Sequence, residues 1–287
     1  MYGKIWSDSG LVIYNKFMIK NHAQNKTLLV VLSIVLFVIS LVVNGLSGTT
    51  LIGGNTTAEV SNDNPTLFTP AGVTFAIWGV IYLLLIGYVV YLIVAARQKN
   101  PKTTDDLALR VAPYFAAITI CNISWLFAWQ HRVFWLSILI IGAFLWLLAK
   151  VNLLINGEVN HMRDWLTITL PFAVYFGWVT VATIANISVW LVNMRWDGWG
   201  IAPDIWTIII LFVAAVIGIV TAWRLRSWPY MAVFVWAYFG IWLNHTSETG
   251  YNGTYSSIIS VLTVCIGLFA VVAGWLLYKY PLGKERN

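Results

Sequence analysis

One uncharged stretch constrains the fold more than any other part of the chain. Residues Leu170–Asn193 are long enough to cross a bilayer as a helix and contain no charged side chain. The stretch nevertheless carries Trp178, Ala182 and Asn186 at four-residue steps, which places the three on one face of the helix. Indoles and amides are costly in lipid unless they face other helices or a cavity. We therefore interpret that face as part of the wall of a ligand site inside a membrane protein.

The composition supports a membrane location for the whole chain. Of its 287 residues 60% are hydrophobic and only 10% are charged, whereas a soluble domain carries about 25% charged residues. The lipid bilayer is therefore the expected surroundings of the protein. The net charge of +6 does not indicate a nucleic-acid partner, because the basic residues cluster at the ends of apolar runs. The His, Cys and carboxylate residues show no metal-ligand spacing, and the two cysteines lie on separate apolar runs.

Apolar runs of roughly 20 residues recur along the chain, and each predicts one transmembrane helix. The runs are 28–46, 72–96, 109–130, 133–155, 165–192, 204–223, 228–244 and 255–279. The fold class predicted from this pattern is all-α: a polytopic membrane helix bundle of eight transmembrane helices.

The distribution of basic residues predicts the orientation of the bundle. With eight spans and a cytoplasmic amino terminus, fifteen of the seventeen basic residues lie on the cytoplasmic side. Only Arg132 and Arg195 remain outside, which is the asymmetry that the positive-inside rule expects. We therefore expect both termini to be cytoplasmic, in a plasma or inner membrane. The polar segment 47–71 then becomes a long outer loop.

Three short motifs occur on the second, third and fifth runs. They are Phe75-x-x-Trp78-x-x-x-Tyr82, Asn122-x-x-Trp125 and Tyr175-x-x-Trp178-x-x-x-Ala182-Thr183-x-x-Asn186. In this order they resemble the TspO/MBR family, the translocator or tryptophan-rich sensory proteins, whose members have five transmembrane helices. Residues 28–193 match that five-helix unit in order and spacing. We therefore predict a cytoplasmic leader at 1–27, a TspO-like core at 28–193, and three additional helices with a short basic tail at 194–287.

The resemblance implies a Trp-lined hydrophobic cavity beneath the first long loop. Members of the family bind porphyrins and other tetrapyrroles or sterols, and they are often dimeric. By resemblance we expect a hydrophobic small-molecule ligand of the porphyrin, haem or sterol type, no required cofactor, and a homodimer. The ligand-binding residues carried over are Trp78, Tyr82, Asn122, Trp125, Tyr175, Trp178, Ala182 and Asn186. The first loop departs from the family pattern, since its prolines are Pro65 and Pro70 and the family's paired motifs are missing.

The same residues also permit plainer interpretations. The aromatic residues could pack between helices, and the two amides could form interhelical hydrogen bonds worth about 0.6–2 kcal/mol. Five other indoles near the predicted helix ends are assigned to the interfacial belts: Trp129, Trp135, Trp165, Trp196 and Trp199.

Three functions remain open from the sequence. The first is a membrane sensor or receptor that binds a planar ligand, and the alternative is a transporter of a hydrophobic or planar solute. Transporters usually show ionisable residues within the membrane, and this chain has almost none there. An enzyme is the weakest of the three, because no acid–base constellation occurs on the apolar runs and no residue is assigned as catalytic.

Overall fold

The computed structural model describes residues 8–98 and 102–281, with side chains from residue 26 onward except at position 58. The helices are α1 (Asp8–Ser47), α2 (Thr57–Asn62), α3 (Ile77–Arg97), α4 (Thr103–Gln130), α5 (Phe134–Ile155), α6 (Met162–Asp164), α7 (Leu170–Asn193), α8 (Pro203–Leu225), α9 (Trp228–Thr246) and α10 (Ser256–Lys279). These described residues contain no strand. The predicted all-α, polytopic bundle is therefore confirmed.

Seven helical segments of the described chain are long and apolar enough to cross a membrane. They correspond to every predicted span except the seventh, which is α9. Polar and aromatic residues lower the hydropathy of α9, yet this helix runs the depth of the bundle. Trp228 at its start stacks on Trp165, which precedes α7, with the ring centroids 5.9 Å apart. His245 at its end bonds to the carbonyl of Leu67, in the loop that covers the other end of α7.

Two helices begin earlier than their apolar runs predict. The backbone of α1 is helical from Asp8, so residues 8–27 of the predicted leader continue the first helix. α4 begins at Thr103, where the carboxylate of Asp105 accepts a hydrogen bond from the N–H of Lys102 at 2.9 Å and so caps the helix. Residues 1–7 of the leader and 282–287 of the predicted tail lie outside the described residues.

α7 lies at the centre of the bundle. It packs against α3 and α5 on one side and against α8 and α9 on the other. Residues 171–181 are all buried, so this part of the helix is surrounded by protein. The uncharged stretch Leu170–Asn193 is therefore also the helix around which the other helices pack.

The segment 48–71, here called the cap loop, folds over one end of the bundle and contains α2. On one side it is held by the end of α4. The side-chain amide of Gln130 donates to the carbonyls of Ser47 and Asn55 at 2.9 and 3.0 Å. The indole N–H of Trp129 donates to the carbonyl of Thr57 at 3.2 Å. These bonds pair backbone carbonyls beneath the loop with side chains of α4.

On its other side the cap loop is held by α9. The N–H of Ala71 donates to the carbonyl of Gly240 at 2.9 Å, and the side-chain amide of Asn244 donates to the carbonyl of Thr69 at 2.9 Å. Gly240 packs so closely on the 3₁₀ turn Gly72–Ala76 that a Cβ at this position would lie 2.0 Å from the hydroxyl of Thr74. The cap loop is thus fastened at both ends.

Candidate ligand site

The aromatic residues predicted from the three motifs converge around Trp78. Its ring stacks on Tyr82 and Trp125, with centroids 5.8 and 6.2 Å away. The edges of Tyr175 and Trp178 approach the same ring at 5.9 and 6.3 Å. Side chains from α3, α4 and α7 therefore form one cluster, in edge and stacked geometries that favour aromatic attraction.

A cleft of about 530 Å³ lies on one side of this cluster, between α1, α3 and α4 and beneath the start of α2. We call it the lateral cleft. Its lining includes Asn44, Gly45, Thr57, Phe75, Trp78, Tyr82 and Trp125. Pockets that hold drug-sized ligands measure roughly 300–1,000 Å³, so the lateral cleft is large enough for a planar ligand.

A much smaller space, the inner chamber, lies on the other side of the cluster under the cap loop. Its volume is about 60 Å³, and its lining includes Trp178, Ala182 and Asn186 of α7. Such a volume holds a few water molecules but no macrocycle. The two spaces share four lining residues, namely Thr57, Phe75, Trp78 and Trp125. Three aromatic side chains therefore form most of the partition between the lateral cleft and the inner chamber.

Four buried N–H donors around the partition have no hydrogen-bond partner among the described protein atoms. They are the indole nitrogens of Trp125 and Trp178 and the amide nitrogens of Asn122 and Asn186. Buried polar groups are nearly always paired, so four unpaired donors in one region require an explanation. All four are donors, so any molecule that paired with them would have to supply acceptor atoms.

The oxygen and the nitrogen of the Asn122 side-chain amide have different surroundings. Its oxygen accepts hydrogen bonds from Ser40 at 3.0 Å, from Asn44 at 2.7 Å and from the hydroxyl of Tyr82 at 3.4 Å. This network joins α1, α3 and α4 and confirms that the amide oxygen forms interhelical bonds. Only the amide nitrogen is left without a partner.

Asn186 is arranged in the same way on α7. Its oxygen accepts a hydrogen bond from the hydroxyl of Ser137 on α5 at 2.8 Å. Its nitrogen is unpaired, and the residue lines the inner chamber one turn beyond Ala182. The helical face that was predicted from four-residue spacing, with Trp178 as its first member, therefore lines a cavity.

The sequence was also compared with models of known protein families. A family model described as TSPO-like protein matches residues 30–275. The chain belongs to the TSPO-like protein family. The matched residues cover the predicted core from residue 30 to residue 193 and the three later spans up to residue 275. No curated protein and no solved structure matched the chain.

Six of the eight site residues predicted for this TSPO-like protein line one of the two spaces: Trp78, Tyr82, Trp125, Trp178, Ala182 and Asn186. The other two pack behind them. Tyr175 is buried between Trp78 and Phe144, and Asn122 holds the network between helices. The binding role of all eight residues stays a prediction.

Some residues of the site were missed or misassigned from the sequence. Trp129 was assigned to the interfacial belt, but it is buried and stacks on Trp125 with centroids 5.8 Å apart. The cap loop folds over this indole, and that long-range contact has no signal in the local sequence. Ser40 and Asn44 were also missed, although two polar residues one turn apart in an apolar run are a signal that could have found them.

Proposed function

We propose that this TSPO-like protein is a membrane sensor or receptor that binds a planar hydrophobic ligand, a tetrapyrrole or a sterol-like molecule, against Trp78 and Trp125. The single observation that supports this most strongly is the stacked indole pair facing a cleft of about 530 Å³. Flat aromatic walls give wide contact with a planar ligand and lose little side-chain entropy on binding.

The unpaired donors narrow the chemistry of the proposed ligand. Carboxylate or carbonyl oxygens on the rim of a planar molecule would pair with the N–H groups of Trp125 and Trp178. In this proposal the flat body of the ligand occupies the lateral cleft. Its polar edge reaches the partition, where a tilt of Trp78 opens the inner chamber. The buried donors then exchange an unpaired state for a hydrogen bond, and this exchange favours binding.

The test is a titration of the purified protein with protoporphyrin IX, followed by quenching of tryptophan fluorescence. We expect saturable quenching in the native protein and at least tenfold weaker binding in Trp78→Ala, which corresponds to about 1.4 kcal/mol. The matched control is Trp146→Ala, since that indole is 57% exposed on α5 and lies outside both spaces. A parallel titration with a sterol distinguishes the two ligand classes.

Two results would count against the proposal. One is a flat titration by both ligand classes with protein that remains folded. The other is equal loss of binding in Trp78→Ala and Trp146→Ala, because the effect would then follow the loss of any indole rather than the cleft.

The alternative function is transport of a hydrophobic or planar solute. It is favoured by one observation, namely that two spaces lie on opposite sides of a wall made mainly of side chains. Flux of the bound ligand across proteoliposomes would distinguish the functions, because a sensor binds the ligand without moving it. A Trp78→Ala variant that raises flux would support transport.

For the topology we propose that both termini are cytoplasmic in a plasma or inner membrane. The asymmetry of basic residues and the passage of α9 through the bundle support this orientation. Single cysteines at Thr49 and Lys102, in a chain with Cys121 and Cys265 replaced by Ala, test it. A membrane-impermeant maleimide should label position 49 in intact cells and position 102 only after lysis. Chemical crosslinking of the same membranes tests the homodimer that the family resemblance implies.

A further inference from the structure

A third cavity, of about 480 Å³, lies away from the candidate ligand site and shares no lining residue with it. It lies between the cap loop, the end of α7, the start of α8 and the loop before α10. We call it the outer aromatic cavity. Six of its lining residues are aromatic or charged: Phe68, Trp196, Asp197, Trp206, Tyr251 and Tyr255.

The two indoles of this cavity are held in place by the loop between α7 and α8. The N–H of Trp206 donates to the carbonyl of Gly198 at 2.7 Å, which pairs the polar edge of an indole that lines the cavity. Trp196 approaches it with centroids 5.1 Å apart and the planes at 55°. Gly198 has a φ of 65°, and a Cβ there would lie 3.0 Å from the ring of Trp206. A glycine is therefore required for this arrangement of the indoles.

The two tyrosines form the opposite wall. Tyr251 donates its hydroxyl to the carbonyl of Thr66 at 3.2 Å, and its ring meets Tyr255 edge-on with centroids 5.4 Å apart. Burial raises the pKa of Tyr251, so its phenol stays neutral at physiological pH. The aromatic rings of both walls carry partial negative charge on their faces, and one face of Tyr251 is stacked on His245 with centroids 4.7 Å apart.

The charge of the cavity comes from one carboxylate. Asp197 is the only charged residue in the lining. One of its oxygens accepts the N–H of Trp199 at 2.9 Å, and none of the ion pairs among the described residues involves it. An anion in this space would meet a like charge and the negative ring faces. A cation would be attracted by both.

Most of the remaining lining is apolar, and its polar members are Thr66, Ser188 and Thr207. Leu191 and Val192 of α7 and Ile210 of α8 extend the cavity along the two helices, away from Asp197 and Trp206. An alkyl chain suits that part of the space, while a charged head suits the end that carries the aromatic rings and the carboxylate.

We propose that the outer aromatic cavity binds an alkylammonium group, a quaternary or protonated amine, with its carbon chain lying between α7 and α8. Two sources have this chemistry, the choline or ethanolamine head of a membrane phospholipid and a soluble organic amine. Recognition of ammonium groups by several aromatic rings is a recurrent use of cation–π attraction. The proposal does not depend on the porphyrin or sterol site, because the cavities have no lining residue in common.

The first experiment measures binding of choline chloride to the full-length protein labelled with 5-fluorotryptophan, by ¹⁹F NMR. The resonance of Trp206 is assigned by its loss in Trp206→Phe. We expect a saturable shift with choline and at least tenfold weaker binding of 3,3-dimethyl-1-butanol, which has the same shape without the charge. Equal binding of the two molecules would overturn the proposal, since it would show an apolar pocket without preference for a cation.

Replacing either of two aspartates by asparagine provides a matched pair of variants. Asp197→Asn keeps an oxygen that can accept the N–H of Trp199, so the loop retains its bond while losing the charge. We expect this change to weaken choline binding roughly fivefold, and we expect Asp204→Asn to leave it unchanged. Asp204 lies in the first turn of α8 and does not line the cavity. Equal effects in the two variants would contradict the assigned role of Asp197.

The second experiment distinguishes the two sources. The protein is released for native mass spectrometry from nanodiscs that contain equal phosphatidylcholine and phosphatidylglycerol. Preferential retention of phosphatidylcholine, lost in Asp197→Asn, identifies a lipid head group. A choline-dependent shift of Trp206 without lipid preference identifies a soluble amine. Absence of both the shift and the lipid preference, in protein that still binds the planar ligand, would refute this proposal alone.

Discussion

The indole rings of Trp78 and Trp125 stack with their centroids 6.2 Å apart, and both side chains line the lateral cleft as well as the inner chamber. Two residues from different helices thus form, together with Phe75, most of the wall between a space of ligand size and one that holds a few water molecules. Removing one of them should change the connection between the spaces more than it changes the helices around them.

Trp78→Ala should join the lateral cleft to the inner chamber. A cysteine placed at Ala182, in a chain with both native cysteines replaced by Ala, reports access to the chamber. We expect a small maleimide to label it at least tenfold faster in Trp78→Ala, corresponding to about 1.4 kcal/mol of easier access. Trp146→Ala is the control. If both variants label at the native rate, Trp78 does not separate the spaces.

Asn186→Leu should weaken ligand binding while it changes stability little. The substitution removes one hydrogen bond to Ser137 and also the unpaired nitrogen. The lost bond to the ligand should reduce affinity by about 1–2 kcal/mol in the porphyrin titration. Asn152→Leu is the matched control, because the nitrogen of that buried amide already donates to the carbonyls of Leu148 and Phe172. Asn152→Leu should lower stability and leave affinity unchanged. If Asn186→Leu also lowers stability and leaves affinity unchanged, Asn186 serves structure only.

Gln130→Leu should loosen the cap loop. The side chain of Gln130 is buried and donates to the carbonyls of Ser47 and Asn55. The carbonyl of Ser47 keeps a second donor, the hydroxyl of Thr57, so the substitution leaves that of Asn55 without a partner at a cost of about 1–3 kcal/mol. Hydrogen exchange across residues 49–63 should become faster. Arg132→Ala removes a solvent-exposed ion pair to Asp63 and should cost no more than about 1 kcal/mol. Faster exchange in Arg132→Ala than in Gln130→Leu would mean that the ion pair is the main anchor.

Gly240→Ala should destabilise the protein by about 1–3 kcal/mol, because the added methyl group overlaps the buried side chain of Thr74. Thermal unfolding in detergent measures the change. Gly87→Ala on α3 is the control, since its Cβ would meet nothing within 4 Å. Replacement there should be neutral or stabilising, as alanine favours a helix by about 0.8–1.0 kcal/mol over glycine. Equal effects would exclude the close contact with Thr74 as the cause.

The sequence predicted those parts of the fold that depend on a local repeat. Each apolar run coincides with a helix, and the four-residue spacing of Trp178, Ala182 and Asn186 identified the face of α7 that lines the inner chamber. Both inferences need only the length of a run and the period of a helix.

The features of the fold and of the site that the sequence did not predict depend on contacts between residues far apart in the chain. α2 and the cap loop are positioned by bonds such as that from Trp129 to the carbonyl of Thr57, 72 residues earlier in the chain. The position of Trp129 at the end of an apolar run is typical of an interfacial indole, so local sequence favoured the wrong interpretation. The role of α9 as an anchor for the cap loop was missed for the same reason, since the bond from His245 to Leu67 joins residues 178 positions apart.

Fastening at Gln130 and at Gly240 restricts how a solute can approach Trp78. A loop held on both sides is restrained against swinging away from the bundle. If the protein binds a ligand as proposed, we therefore expect the ligand to enter the lateral cleft between α1 and α3 from the acyl chains. For such a molecule the bilayer acts as a reservoir, and occupancy follows its mole fraction in lipid rather than its concentration in water.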